Sequence, residues 1–61
     1  MIGVRIKEER SRLGLNQPDF AEIAGVSKRT LIEWEKDSSS PNAVHLSALS
    51  QAGVDVHYII T

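Results

Sequence analysis

Cysteine is absent from this 61-residue sequence, and its absence removes whole classes of chemistry. No disulfide staples a small core, and neither a thiolate nucleophile nor a cysteine zinc site is possible. A chain without cysteine sits readily in a reducing compartment. Aromatics are scarce, with one Phe, one Tyr and one Trp, so the core rests on aliphatic residues packed around those three. No apolar run approaches the about 20 residues needed to span a bilayer, and no signal-peptide pattern opens the chain. The expectation is a soluble cytoplasmic protein. So short a chain makes one domain, residues 1–61, and buries only about 60% of the surface its unfolded form exposes. Its stability must come from well-formed local structure or from association.

Basic charge is missing after residue 36. All seven cationic residues (Arg5, Lys7, Arg10, Arg12, Lys28, Arg29 and Lys36) lie before that point, whereas 37–61 hold only Asp37 and Asp55. The formal net charge of −1 points to no polyanionic partner, and by composition alone a charged half is simply a solvated half. His45 and His57 lie in separate segments with no third ligand at useful spacing, so no metal site is implied. Serine, histidine and aspartate without mutual geometry imply no catalytic triad. Both histidines are expected at the surface. The sequence calls for no enzyme, cofactor, membrane contact or small-molecule ligand.

What is present is regular punctuation: Gly14, Gly25, the run from Asp37 to Pro41, and Gly53. Between these marks the apolar spacing is helical. Ile2, Ile6 and Leu13 share one face of a first helix that ends at Gly14. Asn16 is placed as an N-cap, with Pro18 in the first turn where a missing N–H costs little. Helix two then runs to about Ala24 and buries Phe20, Ala21, Ile23 and Ala24. Ser27 caps helix three, with Leu31 and Trp34 inward. Ser40 and Pro41 begin helix four, with Leu46 and Leu49 inward, and Asp55 caps a last helix containing Val56, Tyr58, Ile59 and Ile60. No stretch alternates with period two for long enough to form a sheet. The reading is all-α, with five short helices.

The segment Gln17 to Glu35, QPDFAEIAGVSKRTLIEWE, concentrates the functional information. Its two helices meet at Gly25-Val26-Ser27, too tight for an ordinary antiparallel hairpin. Ala21 is small enough for close approach, Gly25 accepts the positive φ of the turn, and Val26 points back to pin it above Leu31. The result is two helices crossed at roughly 90–120°, the second free to enter a major groove.

With RLGLNQPDFAEIAGVSKRTLIEWE, then SP before helix four and GVDVHYII at the end, nearly the whole chain resembles the Cro/repressor-type (Xre) helix-turn-helix regulators of phages and bacteria. The resemblance implies a lambda-repressor-like domain, with the motif formed by helices two and three. It also implies a bacterial or phage-encoded regulator acting on double-stranded DNA. Two positions depart from the pattern: Ala52 replaces a larger aliphatic residue, and Ile32 is apolar where relatives are often polar.

With Leu31 inward, 100° per residue puts Arg29, Glu33 and Lys36 on the outer face of helix three, flanked by Lys28 and Ile32. The base-reading candidates are therefore Lys28, Arg29, Ile32 and Glu33, and the resemblance points to the same positions. Arginine matches the paired acceptors of guanine, lysine reaches them less directionally, glutamate accepts from cytosine N4, and isoleucine can touch a thymine methyl. Alternatively Glu33 pairs with Arg29 or Lys28, and Ile32 is one exposed apolar residue. Asn16 and Gln17 open helix two, whose free N–H groups suit a phosphate. Relatives clamp phosphate with a glutamine here, while Asn16 alternatively serves only as a cap. Lys36, Ser38 and Ser39 would flank the groove. The resemblance also implies a structural ion pair between Arg10 and Glu35.

The expected partner is a pseudo-palindromic operator bound by a weak homodimer, with Val54, Val56, Ile59 and Ile60 supplying more apolar surface than a short helix needs. Two rivals stand: an antitoxin or antirepressor component that also grips a protein, and a purely protein-binding module on the same fold. The near-neutral charge favours the second, whereas Lys28-Arg29 at the head of helix three favours DNA. The resemblance fits a stand-alone Cro-like protein and a domain of a longer repressor alike.

Overall fold

Five helices form and no strand does: α1 (Ile2–Arg12), α2 (Gln17–Ala24), α3 (Lys28–Glu35), α4 (Ala43–Gln51) and α5 (Val56–Ile60). The computed structural model describes residues 1–61. Side-chain caps set the starts of four helices. Asn16 Oδ1 accepts from the Asp19 amide at 2.8 Å, Ser27 Oγ from Thr30 at 3.2 Å, and Asp55 Oδ1 from Tyr58 at 3.0 Å. Each such cap contributes about 1 kcal/mol.

The fourth cap corrects the sequence reading. α4 is opened by Asn42, not by Ser40 and Pro41, because Asn42 carries an acceptor that reaches the third amide of the helix. Its Oδ1 accepts from the His45 amide at 2.9 Å, while His45 Nδ1 accepts from the Asn42 amide at 3.2 Å. This reciprocal capping box puts His45 half into the interior, its ring 5.0 Å from that of Trp34. His57 is exposed, so the expectation of two surface histidines fails for His45.

All five helices feed one core. Ile6 comes from α1, Phe20, Ala21 and Ala24 from α2, Leu31 and Trp34 from α3, Leu49 from α4, Val54 from the last turn and Ile59 from α5. Ile23 and Leu46, expected inward, are only half-buried. The C-terminal segment is less free than its composition suggests. Val54 and Ile59 are 3% and 1% exposed and Val56 packs beside them, so Ile60, 54% exposed, is the one open apolar side chain of the four. Most of the surplus proposed for self-association is therefore consumed by the domain's own core.

Polar side chains fasten α5 and the turn before it onto α1. Glu9, 5% exposed, accepts from Arg12 at 2.9 and 2.8 Å and from the Asp55 amide at 2.7 Å. Arg12 continues to the Gly53 carbonyl at 3.0 Å. Arg5 lies over the Tyr58 ring, 5.1 Å from its centroid, and donates to the Tyr58 carbonyl at 2.9 Å, while the Tyr58 hydroxyl donates to Glu8. The guanidinium of Arg12, then the Asp55 amide, hold the Glu9 carboxyl down at about 2 against the opposing effect of burial.

Candidate nucleic-acid interface

The crossing of α2 and α3 is fixed by three residues. Gly25 ends α2 at φ +78, a backbone that an L side chain adopts only with strain, although nothing would obstruct a Cβ there. Its amide donates to Glu22 at 3.1 Å and the Val26 amide to Ala21 at 3.0 Å, satisfying the last carbonyls of the helix. Ala21 is buried between the helices, and Val26 packs half-buried against the core. With Leu31 and Trp34 turned inward, the opposite face of α3 is open to solvent.

Arg29 on that face and Lys28 on its flank are both exposed, and their side chains make no intramolecular hydrogen bond or ion pair. Ile32 and Glu33 follow, half-buried, and the Glu33 carboxylate has no partner: the two ion pairs of the molecule are Arg10–Glu35 and Glu9–Arg12. The alternative that Glu33 is neutralised by Lys28 or Arg29 has no support in this geometry. Lys36, Ser38 and Ser39 are exposed just beyond the helix. The outer side of α3 thus offers two unengaged cations, one unengaged carboxylate, an aliphatic side chain and a flanking run of hydroxyls.

At the head of α2, the Asn16 side-chain oxygen is committed to its cap. Gln17 is half-buried and donates through Nε2 to Glu35 Oε1 at 3.1 Å. Glu35 also accepts from Arg10, Nε to Oε2 at 2.7 Å and the terminal nitrogen to Oε1 at 3.4 Å, and Arg10 donates to the Leu15 carbonyl at 3.1 Å. Arg10 and Glu35 side chains are 14% and 7% exposed. This network ties α1, the start of α2 and the end of α3 to one another. It leaves Gln17 with one amide hydrogen and its carbonyl free at the surface.

The sequence reading missed the Glu9–Arg12 pair. A signal existed: Glu9 interrupts the Ile2, Ile6, Leu13 stripe at the position where an apolar residue belongs, with a cation three residues on. No group of three or more His, Asp or Glu side chains is placed to hold a metal ion, and no helix is long and apolar enough to cross a membrane.

An all-helical domain with a tight, glycine-closed crossing of α2 and α3 defines the helix-turn-helix class. The family model described as helix-turn-helix matches residues 6–53, and the chain belongs to that family, in its Xre-type branch. It is 35% identical over 52 residues to repressor protein C2 of Salmonella phage P22, covering 85% of this chain and 24% of that protein. It is 39% identical over 51 residues to a type II methyltransferase of Shigella sonnei, covering 79% of this chain and 14% of the enzyme. An uncharacterized HTH-type transcriptional regulator of Methanothermobacter thermautotrophicus is 38% identical over 47 residues, 77% of this chain and 68% of that protein. The chain thus spans about a quarter of the phage repressor's length and less of the methyltransferase's. No solved structure matches it significantly.

Proposed function

We propose that this domain binds double-stranded DNA sequence-specifically as a phage- or prophage-type repressor, with α3 in the major groove. The observation that carries the reading is the first turn of α3, where Arg29, on the face opposite Leu31 and Trp34, and Lys28, on its flank, stand exposed and unpaired. Recognition helices present their N-terminal residues to base edges, and unengaged cations need break no internal bond to do so. Arg29 is assigned to guanine, Lys28 to the same acceptors, Glu33 to an exocyclic amine and Ile32 to a thymine methyl. Asn16 and Gln17 at the head of α2, with Lys36, Ser38 and Ser39 beyond α3, meet phosphates. Family membership and the likeness to a phage repressor support this reading.

A homodimer on a pseudo-palindrome belongs to the proposal, because one domain touching four or five base pairs has too little contact to stand out among genomic competitors. Of the four C-terminal aliphatic residues only Ile60 remains exposed to contribute contact, beside the exposed Met1, Val4, Val44 and Tyr58 elsewhere on the surface. The test is selection from a random duplex pool, then binding of Arg29→Ala and Gln17→Ala to the winner and its single-base variants across a salt series. Arg29→Ala should lose about 1–3 kcal/mol and relax preference at one base pair. Gln17→Ala should weaken every sequence about equally without changing the salt slope, since glutamine is uncharged. A flat salt dependence with no enriched sequence would favour the protein-binding alternative.

A further inference from the structure

Asp37 is the one residue other than glycine with positive φ, +61. It follows Lys36 at the end of α3, where its amide donates to the Trp34 carbonyl at 3.1 Å and the Ser38 amide to Glu33 at 2.9 Å. Glycine ordinarily takes this left-handed position, and a residue with a Cβ holds it at an energetic cost. The compensation is tertiary. Asp37 Oδ1 accepts from the Gly3 amide at 2.9 Å, across 34 positions of sequence. Met1, which precedes α1, supplies no side-chain cap, so Asp37 provides the cap of that eleven-residue helix and sets its charge at the positive end of the helix dipole.

Gly3 makes the approach possible. A Cβ on it would lie 2.6 Å from the Glu35 carbonyl oxygen and 2.7 Å from that of Trp34, both rigid backbone atoms. The first turn of α1 is therefore seated on the last carbonyls of α3, with the Asp37 carboxylate bridging the two. In sequence Asp37 falls between Lys36 and Ser38-Ser39, the segment assigned above to phosphate contact.

We infer that Asp37 is a positioning residue for DNA binding. Its bond to the α1 amide holds the end of α3 and the following serine loop in place. It also ties back a negative charge that would otherwise sit free in a segment approaching a polyanion. The inference rests on the DNA-binding reading. It assigns Asp37 no contact with a base, so its loss should leave base preference intact.

Its test compares Asp37→Gly and Asp37→Asn with the unaltered protein, on the duplex selected from the random pool and on single-base variants of it. Exchange of the Gly3 amide is followed in the free proteins. Asp37→Gly should remain folded, because glycine suits φ +61, but should expose the Gly3 amide to faster exchange. Its affinity should fall about three- to tenfold on every duplex alike. Asp37→Asn keeps an oxygen acceptor and tolerates the left-handed backbone, so it should restore Gly3 protection and bind as well as the unaltered protein or better. Unchanged affinity in Asp37→Gly despite a deprotected Gly3 would overturn the inference, as would an equal loss in Asp37→Asn. If the unaltered protein enriches no duplex, the DNA reading itself fails; protection of Gly3, measured without DNA, tells that failure from the absence of the bond.

Discussion

The two sides of α1 are fastened to the rest of the molecule by the same chemistry with different consequences. On one side Arg10 reaches α3 through Glu35, 25 residues away, and Glu35 extends to Gln17 at the head of α2. On the other side Glu9 pairs within its own helix, with Arg12, and the pair then grips backbone at Gly53 and Asp55. The first network sets the relative placement of the helices proposed to meet DNA. The second holds the turn that leads into α5, and its arginine stays half in solvent, with 53% side-chain exposure. A buried bidentate pair between elements specifies geometry, whereas a pair formed inside one helix pre-organises a carboxylate to capture a loop.

Three substitutions probe this contrast, in falling order of effect. Trp34→Ala removes the largest fully buried side chain, which belongs to the one core that all five helices share and lies against the His45 ring. It should cost about 3–5 kcal/mol, enough to unfold a domain of this size, as read by thermal or urea denaturation. Retention of the unaltered melting temperature would mean that the inward face of α3 is wrongly assigned. Arg10→Ala leaves the Glu35 carboxylate nearly buried with only the Gln17 amide, and should cost about 3 kcal/mol. If duplex binding by the surviving folded fraction were then unaffected, the network would not set the placement of α2 and α3.

Glu9→Gln should be milder, about 1–2 kcal/mol near neutral pH, because Arg12 remains solvated once released. Its distinguishing mark is pH. The folded carboxyl titrates at about 2 and the ordinary one at 4.5. The unfolded chain therefore binds the proton more readily, and the pair's contribution is complete above pH 4.5. It is lost as pH falls towards 2. The difference in unfolding free energy between the unaltered protein and Glu9→Gln should shrink across that window. A pH-independent difference would show that Glu9 contributes through shape, not charge.

Much of the architecture could be read without coordinates, since it depends on interactions between residues close in sequence. Five helices, the Asn16, Ser27 and Asp55 caps and the Gly25 turn each follow from a few adjacent side chains and the 3.6-residue period. The outward direction of Arg29, with Lys28 on its flank, follows from the same period once Leu31 is taken as inward. The start of α4 was misread because Ser40-Pro41 and Asn42 both resemble helix starts, and only Asn42 finds a partner in His45.

Tertiary structure alone decided which polar side chains are engaged and which are free. Periodicity turns Glu33 outward and the resemblance pairs Glu35 with Arg10, but nothing in the sequence shows that Glu35 also takes the Gln17 amide while Glu33 is left without a partner. Nor does it reveal that Asp37 caps a helix 34 residues away, or that Val54 and Ile59 are used up inside the domain. Helical periodicity assigns a face, and so predicts burial. It does not identify what lies across that face, because the partner comes from a distant stretch of chain whose approach is set by packing, such as the close contact that Gly3 permits.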